Sequence, residues 1–380
     1  GGGGGGGDDD DGSGSDNDGG GAAAKRRRKE LAEAEDELGE VAAAKQDDEH
    51  EVVRERAEDE LAHAMLGAYG AFVVRLCRAK HASLTQRTVR APAVLTLCKL
   101  MCLSGEFCGQ HLSLLYSVVA NDADHVVRLN AVIALGDLIA RHPNLLDQWN
   151  ARTFACLHDA DVAVRKHALM VLTHLILNDQ IKATTHVSQM AFCLVDADAR
   201  IREHAHMFFG ELSRRGKNGI YNLLPDTISR LSAGRAALPP DGFQRIMRYL
   251  FAFVREQKSN EALVGKLVAR FRDAGAQQRR DIAYCLSLVS FNEKSVRKLL
   301  EPPALRAIVP TLGDEHVFAH FVTIVAKCRK FARPDFKAVI DELEDKLRAG
   351  YEQQTGIALP PSAKLASAVT VSAAEREANG

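Results

Sequence analysis

The chain has 380 residues, 49 Lys/Arg against 50 Asp/Glu, and a formal net charge of −1. That length allows a large core or an extended repeat array. No apolar run approaches the roughly 20 residues a membrane helix needs, and the eight cysteines form no CxxC pair, so they read as reduced thiols packed as small hydrophobes in a nucleus or cytosol.

Residues 1–24 are a Gly/Asp-rich tail whose composition predicts disorder. Residues 25–60 form a charged, helix-prone segment. It opens on Lys25-Arg-Arg-Arg-Lys29, which reads equally as a nuclear-localisation patch or as a solvated charge run. Charge is segregated along the chain. Residues 1–60 carry a large acidic excess, and residues 61–380 carry a nearly matching basic one. A basic body behind an acidic tail favours an anionic partner such as nucleic acid.

Residues 61–231 carry the organising pattern. Asp122-Ala-Asp-His-Val-Val-Arg128 recurs as Asp159-Ala-Asp-Val-Ala-Val-Arg165 and as Asp196-Ala-Asp-Ala-Arg-Ile-Arg202, with a spacing of 37 residues. A period of this size marks a stacked-helix solenoid. Behind each Arg lies an apolar stripe at i, i+3, i+4 and i+7: Ala131, Ala134, Leu135, Leu138; Ala168, Val171, Leu172, Leu175; Ala205, Phe208, Phe209, Leu212. The Asp pair suits a tight turn and an N-cap. Preceding helices are expected at 111–120, 145–157 and 181–195. Each repeat is then a helical hairpin that buries its apolar face only by stacking on its neighbours. The fold class predicted is all-α, a HEAT-repeat α-solenoid with disordered tails at both ends. Val89-Arg90 opens a degenerate earlier copy that lacks the turn Asp.

Asp122, Arg128, Asp159, Arg165, Asp196 and Arg202 are read as a structural ladder, each Arg pairing with the turn Asp of its own or the adjacent repeat. Residues 232–242 are the one strong internal loop. Residues 243–349 continue the solenoid, with helices at 243–257, 261–273, 277–290, 293–300, 303–312, 315–331 and 335–349. Residues 350–380 read as a second disordered tail.

No constellation supports catalysis. There is no phosphate-binding Gly-rich loop followed by Lys-Ser/Thr, no nucleophile elbow, and no zinc-protease helix around His316 and His320. The chain is read as a non-enzyme with no cofactor, no metal, no small-molecule substrate and no membrane partner. Candidate DNA or partner contacts are Lys166, Arg214, Arg215, Lys217, Arg245, Arg248, Arg279, Arg280, Lys294, Arg297 and Lys298. If these line one groove, they would track a phosphate backbone without reading its sequence.

The repeat wording carries a family resemblance. Asn130-Ala-Val-Ile-Ala-Leu-Gly-Asp-Leu138, Val164 to Asp179, Ile220 to Leu231, Arg280-Asp-Ile-Ala-Tyr-Cys-Leu-Ser-Leu288 and Ala326-Lys-Cys-Arg-Lys-Phe-Ala332 resemble the C-terminal HEAT region of the condensin complex subunit 1 family. The resemblance covers about residues 35–349. Thr173 to Asp179 is closer to the condensin I form than to the condensin II form. The Gly-rich start departs from the family, and the family's long N-terminal repeat region is absent, so a piece of a longer protein is expected. The resemblance implies a scaffold that binds kleisin and SMC subunits and double-stranded DNA or chromatin during mitotic chromosome condensation. It also implies residence in the nucleus and on chromosomes, or in the cytoplasm outside mitosis. Another HEAT-type scaffold is the alternative: a condensin II subunit, or a karyopherin- or adaptor-like solenoid.

Overall fold

The computed structural model describes residues 29, 49–61, 65–81, 86–215, 220–234, 236, 238–239, 241–330 and 334–357. The expected disordered tail at 1–24, the nuclear-localisation patch apart from Lys29, and residues 358–380 lie outside them. Among the described residues there is no β-strand. The chain divides into two compact units, residues 1–74 and 75–380. In the first, residues 49–61 form helix α1, largely exposed. Helix α2, Met65–Arg78, begins there and ends in the second.

The second unit is two layers of helices. One layer contains α3 (Arg87–Leu103), α5 (His125–Arg141), α8 (Val162–Leu177), α10 (Ala199–Arg214), α12 (Gly242–Phe251), α14 (Ala276–Leu288) and α17 (Glu315–Lys330). Within it α3 packs on α5, α5 on α8, and α8 on α10. The layer continues by side-chain bonds: Tyr249 of α12 donates to the His206 carbonyl of α10 at 2.8 Å, and Lys327 of α17 donates to the Ser287 carbonyl of α14. The other layer contains α4 (Gly105–Asn121), α6 (Pro143–Leu146), α7 (Asn150–Ala155), α9 (Ala183–Phe192), α11 (Ile220–Ala233), α13 (Gln257–Phe271), α15 (Glu293–Leu300), α16 (Pro302–Ile308) and α18 (Pro334–Thr355). Here α9 packs on α11, α11 on α13, α13 on α15, and α15 on α18. This is the helical-hairpin solenoid expected from the period.

The local chemistry of each repeat is visible in its turn. The second Asp of each pair caps the next helix: Asp124 accepts from the Val126 amide, Asp161 from Ala163 and Val164, and Asp198 from Arg200 and Ile201. Each such cap stabilises its helix by about 1 kcal/mol. The first Asp closes the turn, accepting from the amide two residues on. Most of the apolar stripe residues behind them are buried, with Ala131, Leu135, Leu138, Ala168, Leu172, Ala205, Phe208 and Phe209 at most 1% exposed, while Val171 and Leu212 are half-buried.

Several expected elements differ, and the helices expected over 181–195 and 303–312 each end in a 3-10 turn, Cys193–Val195 and Val309–Thr311. The helix expected over 145–157 is broken into α6, a 3-10 turn Asp147–Trp149, α7 and a 3-10 turn Cys156–His158. The break seats Trp149 flat on Tyr116, ring centroids 4.7 Å apart, while the Tyr116 and Thr153 hydroxyls meet at 2.7 Å. The helix expected over 243–257 ends at Phe251. Asn260, 2% exposed, donates to the Val254 and Glu256 carbonyls and holds the connecting turn, so α13 starts at Gln257. Residues 350–355, expected in a tail, are the last turn and a half of α18. Tyr351 stacks on Phe318 at 4.1 Å and is 4% exposed, so this segment gains burial that its composition does not announce.

Candidate partner-binding surface

The ladder is the organising geometry of the surface. Arg128 reaches forward to Asp159 of the next repeat, Nε to Oδ2 and Nη2 to Oδ1, both at 2.8 Å. Arg165 does the same to Asp196 at 2.9 and 3.1 Å. Arg90 reaches Asp122 at 2.6 Å. The remaining Nη1 of each Arg turns back to its own turn: Arg128 to the Asp122 carbonyl, Arg165 to the Asp159 carbonyl, and Arg202 to the Asp196 and Ala197 carbonyls. One guanidinium therefore pins two successive turns. The pairing is to the adjacent repeat, and the degenerate first copy needs no turn Asp of its own. Sequence reading missed a parallel outer bond, Arg87 to Asp124 at 2.6 and 3.0 Å.

Each ladder Arg is the fourth residue of its helix: Arg90 in α3, Arg128 in α5, Arg165 in α8, Arg202 in α10. The same register holds Arg245 in α12 and Arg279 in α14. Both had been read as phosphate candidates. Arg279 donates to the Phe271 and Arg272 carbonyls, closing the end of α13. Arg280 pairs with Asp314 at 2.6 Å. Arg248 donates to the Tyr284 hydroxyl at 3.0 Å, Arg297 to Glu293, and Lys298 to the Glu261 carbonyl at 2.8 Å. Arg214 pairs with Glu211 one turn back. Lys217 lies outside the described residues. Lys166, Arg215, Arg245 and Lys294 make no side-chain hydrogen bond or ion pair among the described residues. The candidates do not sit on one element layer: Arg245, Arg248, Arg279 and Arg280 belong to the α3-to-α17 layer, and Lys294, Arg297 and Lys298 to the other.

A second surface feature went unread in the sequence. The ninth residues of α3, α5, α8 and α10 are Leu95, Ile133, Met170 and Met207, each exposed by 41% or more. They recur at the repeat period, so a signal existed. It lies off the i, i+3, i+4, i+7 stripe that a search for core positions follows.

Among the described residues the cysteines are not poised for covalent chemistry. All eight cysteines are free, and seven are buried. Burial pushes the Cys98 and Cys193 thiols up to about 12, away from the reactive thiolate range. Among the described residues no three His, Cys, Asp or Glu side chains gather as a metal site, and no helix is long and apolar enough to cross a membrane.

The family profile described as non-SMC mitotic condensation complex subunit 1 matches residues 126–287, the span of the sharp repeats and the helices that follow. Condensin complex subunit 1 of Xenopus laevis is 41% identical over 316 residues, 82% of this chain and 23% of that protein. The chain belongs to the condensin complex subunit 1 family. The human condensin complex subunit 1 is 38% identical over 318 residues, and the Arabidopsis thaliana condensin-1 complex subunit CAP-D2 is 38% identical over 320. The chain spans about a quarter of the length of these relatives. Among solved structures, the Pds5–Scc1 complex aligns with a TM-score of 0.34 and 12% identity over 85% of this chain and 52% of that one. The cohesin subunit Scc3 from Z. rouxii aligns with a TM-score of 0.32 and 12% identity over 70% of this chain and 37% of that one.

Proposed function

We propose that this chain is a non-catalytic scaffold segment of a condensin subunit, acting in mitotic chromosome condensation on chromosomes in the nucleus. It holds kleisin and SMC partners and contributes basic contacts to double-stranded DNA. The observation that carries this reading is the family match across the laddered repeats, the part of the chain where arginines and carboxylates lock successive turns into a continuous surface. A stacked-repeat surface suits a scaffold because it offers extended contact area without a catalytic pocket.

The DNA contacts in this reading are Lys166, Arg215 and Lys294, whose charges no protein carboxylate neutralises among the described residues. Arg279, Arg280, Arg297 and Lys298 are poor probes, since reversing them breaks bonds to the protein itself. The test is binding of the whole chain to unrelated duplexes across a salt series. Expected is sequence-independent binding whose log affinity falls linearly with log salt, with a slope shallower by about 3 in the triple Lys166→Glu, Arg215→Glu, Lys294→Glu variant. An unchanged slope removes DNA contact from these residues. Co-purification of the whole chain with kleisin and SMC subunits tests the scaffold role separately, and its absence overturns that role.

A further inference from the structure

The ladder opens at the rung of Arg202. Arg202 stands in register with Arg90, Arg128 and Arg165, yet among the described residues it forms no salt bridge and spends its Nη1 on two backbone carbonyls. The cause lies in the loop before α12. The residue three before each helix start is Asp122, Asp159 and Asp196 in the sharp repeats, and Pro239 before α12. A proline ring offers no acceptor. Asp241, at the capping position, adopts φ 59, is exposed and caps nothing. On the facing helix, Arg245 also lacks a carboxylate. Asp273, which stands in the ladder register before α14, is paired instead with Arg272 at 3.1 Å.

The two arginines border one seam. His206 lies one turn after Arg202 on α10, and Tyr249 one turn after Arg245 on α12. Their rings meet edge to face at 4.3 Å, and Tyr249 bonds the His206 carbonyl. Residues four apart share a helix face, so Arg202 and Arg245 flank the same seam one turn away. Burial, with the Arg202 and Arg245 charges beside it, holds the His206 imidazole below its ordinary range. The seam therefore concentrates positive charge, and among the described residues no carboxylate is bonded to either arginine.

The exposed apolar row leads to this seam. Leu95, Ile133, Met170 and Met207 step along α3, α5, α8 and α10, and Met207 adjoins His206. Packed helices lie about 8–10 Å apart, and an extended chain advances about 3.3 Å per residue. In polyproline II geometry, with three residues per turn and about 3.1 Å per residue, every third side chain returns to one face, so a segment crossing these helices presents one apolar side chain to each.

We propose that the seam between α10 and α12 seats a carboxylate from an extended acidic segment of a partner protein, whose apolar side chains run along Leu95, Ile133, Met170 and Met207. The occupant is a carboxylate because that is the group taken at the three closed rungs, bidentate at two of them. It is a polypeptide because only a polypeptide also supplies apolar side chains to the row.

The experiment is selection from a display library of random 12-residue peptides against the whole chain and against the Pro239→Asp variant, which restores the missing rung from within. Selected peptides should share an Asp or Glu with apolar residues at about three-residue spacing. Replacing that acidic residue by its amide should weaken binding at least 10-fold. The same loss should occur in Pro239→Asp and, as a check that loop distortion is not responsible, in Arg202→Gln/Arg245→Gln and in Met170→Ser/Met207→Ser. Circular dichroism establishes that each variant is folded. A selection that yields no binder, or binders without an essential carboxylate, overturns the proposal. So does duplex DNA binding that falls in Pro239→Asp while peptide binding does not, which would give the seam to phosphate.

Discussion

Arg128 and Asp159 belong to successive repeats and are joined by two parallel N–H···O bonds of 2.8 Å, with both side chains largely shielded from water. The planar fork of guanidinium matches the carboxylate, and the third nitrogen holds the Asp122 carbonyl. A bond of this kind acts on the interface between repeats, the term that governs a quasi-one-dimensional array.

Truncating one side should therefore cost more than an exposed ion pair would. Arg128→Ala is expected to lower stability by about 2–3 kcal/mol, and Arg202→Ala by distinctly less, since Arg202 loses only carbonyl bonds. Urea denaturation of both variants checks this. A double cycle with Asp159→Ala isolates the pair itself. Equal costs for Arg128 and Arg202 would count against a cross-repeat role.

The ladder also sets an acid limit. Burial opposes ionisation of Asp159, but hydrogen bonds from Arg128 and the Asp161 amide, with the Arg128 and Arg165 charges, outweigh it and hold the carboxyl below its ordinary value. Asp314 is held down in the same sense: burial opposes ionisation, and Arg280 overcomes it. A folded pKa below the unfolded one means stability that is fully present above about pH 4 and lost as pH falls through the folded value. Asp159→Asn should be less stable than wild type at neutral pH, with a smaller further loss on acidification. Melting temperature against pH between neutrality and strong acid shows whether the two curves converge.

Close approach of α5 and α8 supplies a steric test. A Cβ on Gly136 would come within 2.8 Å of Val171 Cγ1, a stiff β-branched group. Gly136→Val is expected to destabilise by about 1–3 kcal/mol through overpacking. Adding Val171→Ala should recover part of that loss. A denaturation series on the two single variants and the double variant reads it directly, and strict additivity would contradict the contact.

Much of this architecture is legible in residues 122–212. The 37-residue spacing of the Asp pair and Arg, with an apolar stripe behind each, dictates stacked hairpins because one hairpin cannot bury its own face. Turn closure by Asp122 and capping by Asp124 follow from local hydrogen-bonding needs alone. The broken segment around Trp149 does not, since its apolar pattern alone suits a continuous helix and the stacking of Trp149 on Tyr116 is a contact between elements.

Sequence by itself determined the repeat, its helical class, its polar turns and its family. Only the tertiary structure decided which partner each ladder Arg takes and which basic residues remain available. Arg128 could have paired within its own turn, and stacking sends it to the next. Arg245 and Arg279 read as phosphate-binding candidates because they sit in basic pairs on separate helices, and the loop at 232–242 takes Arg245 out of the 37-residue spacing from Arg202. Helix packing returns both to the ladder register all the same. The exposed row recurs at the repeat period, but the open rung at Pro239 and the seam beside it are likewise properties of aligned repeats. They arise from side chains brought together across helices dozens of residues apart, where chain periodicity no longer fixes who meets whom.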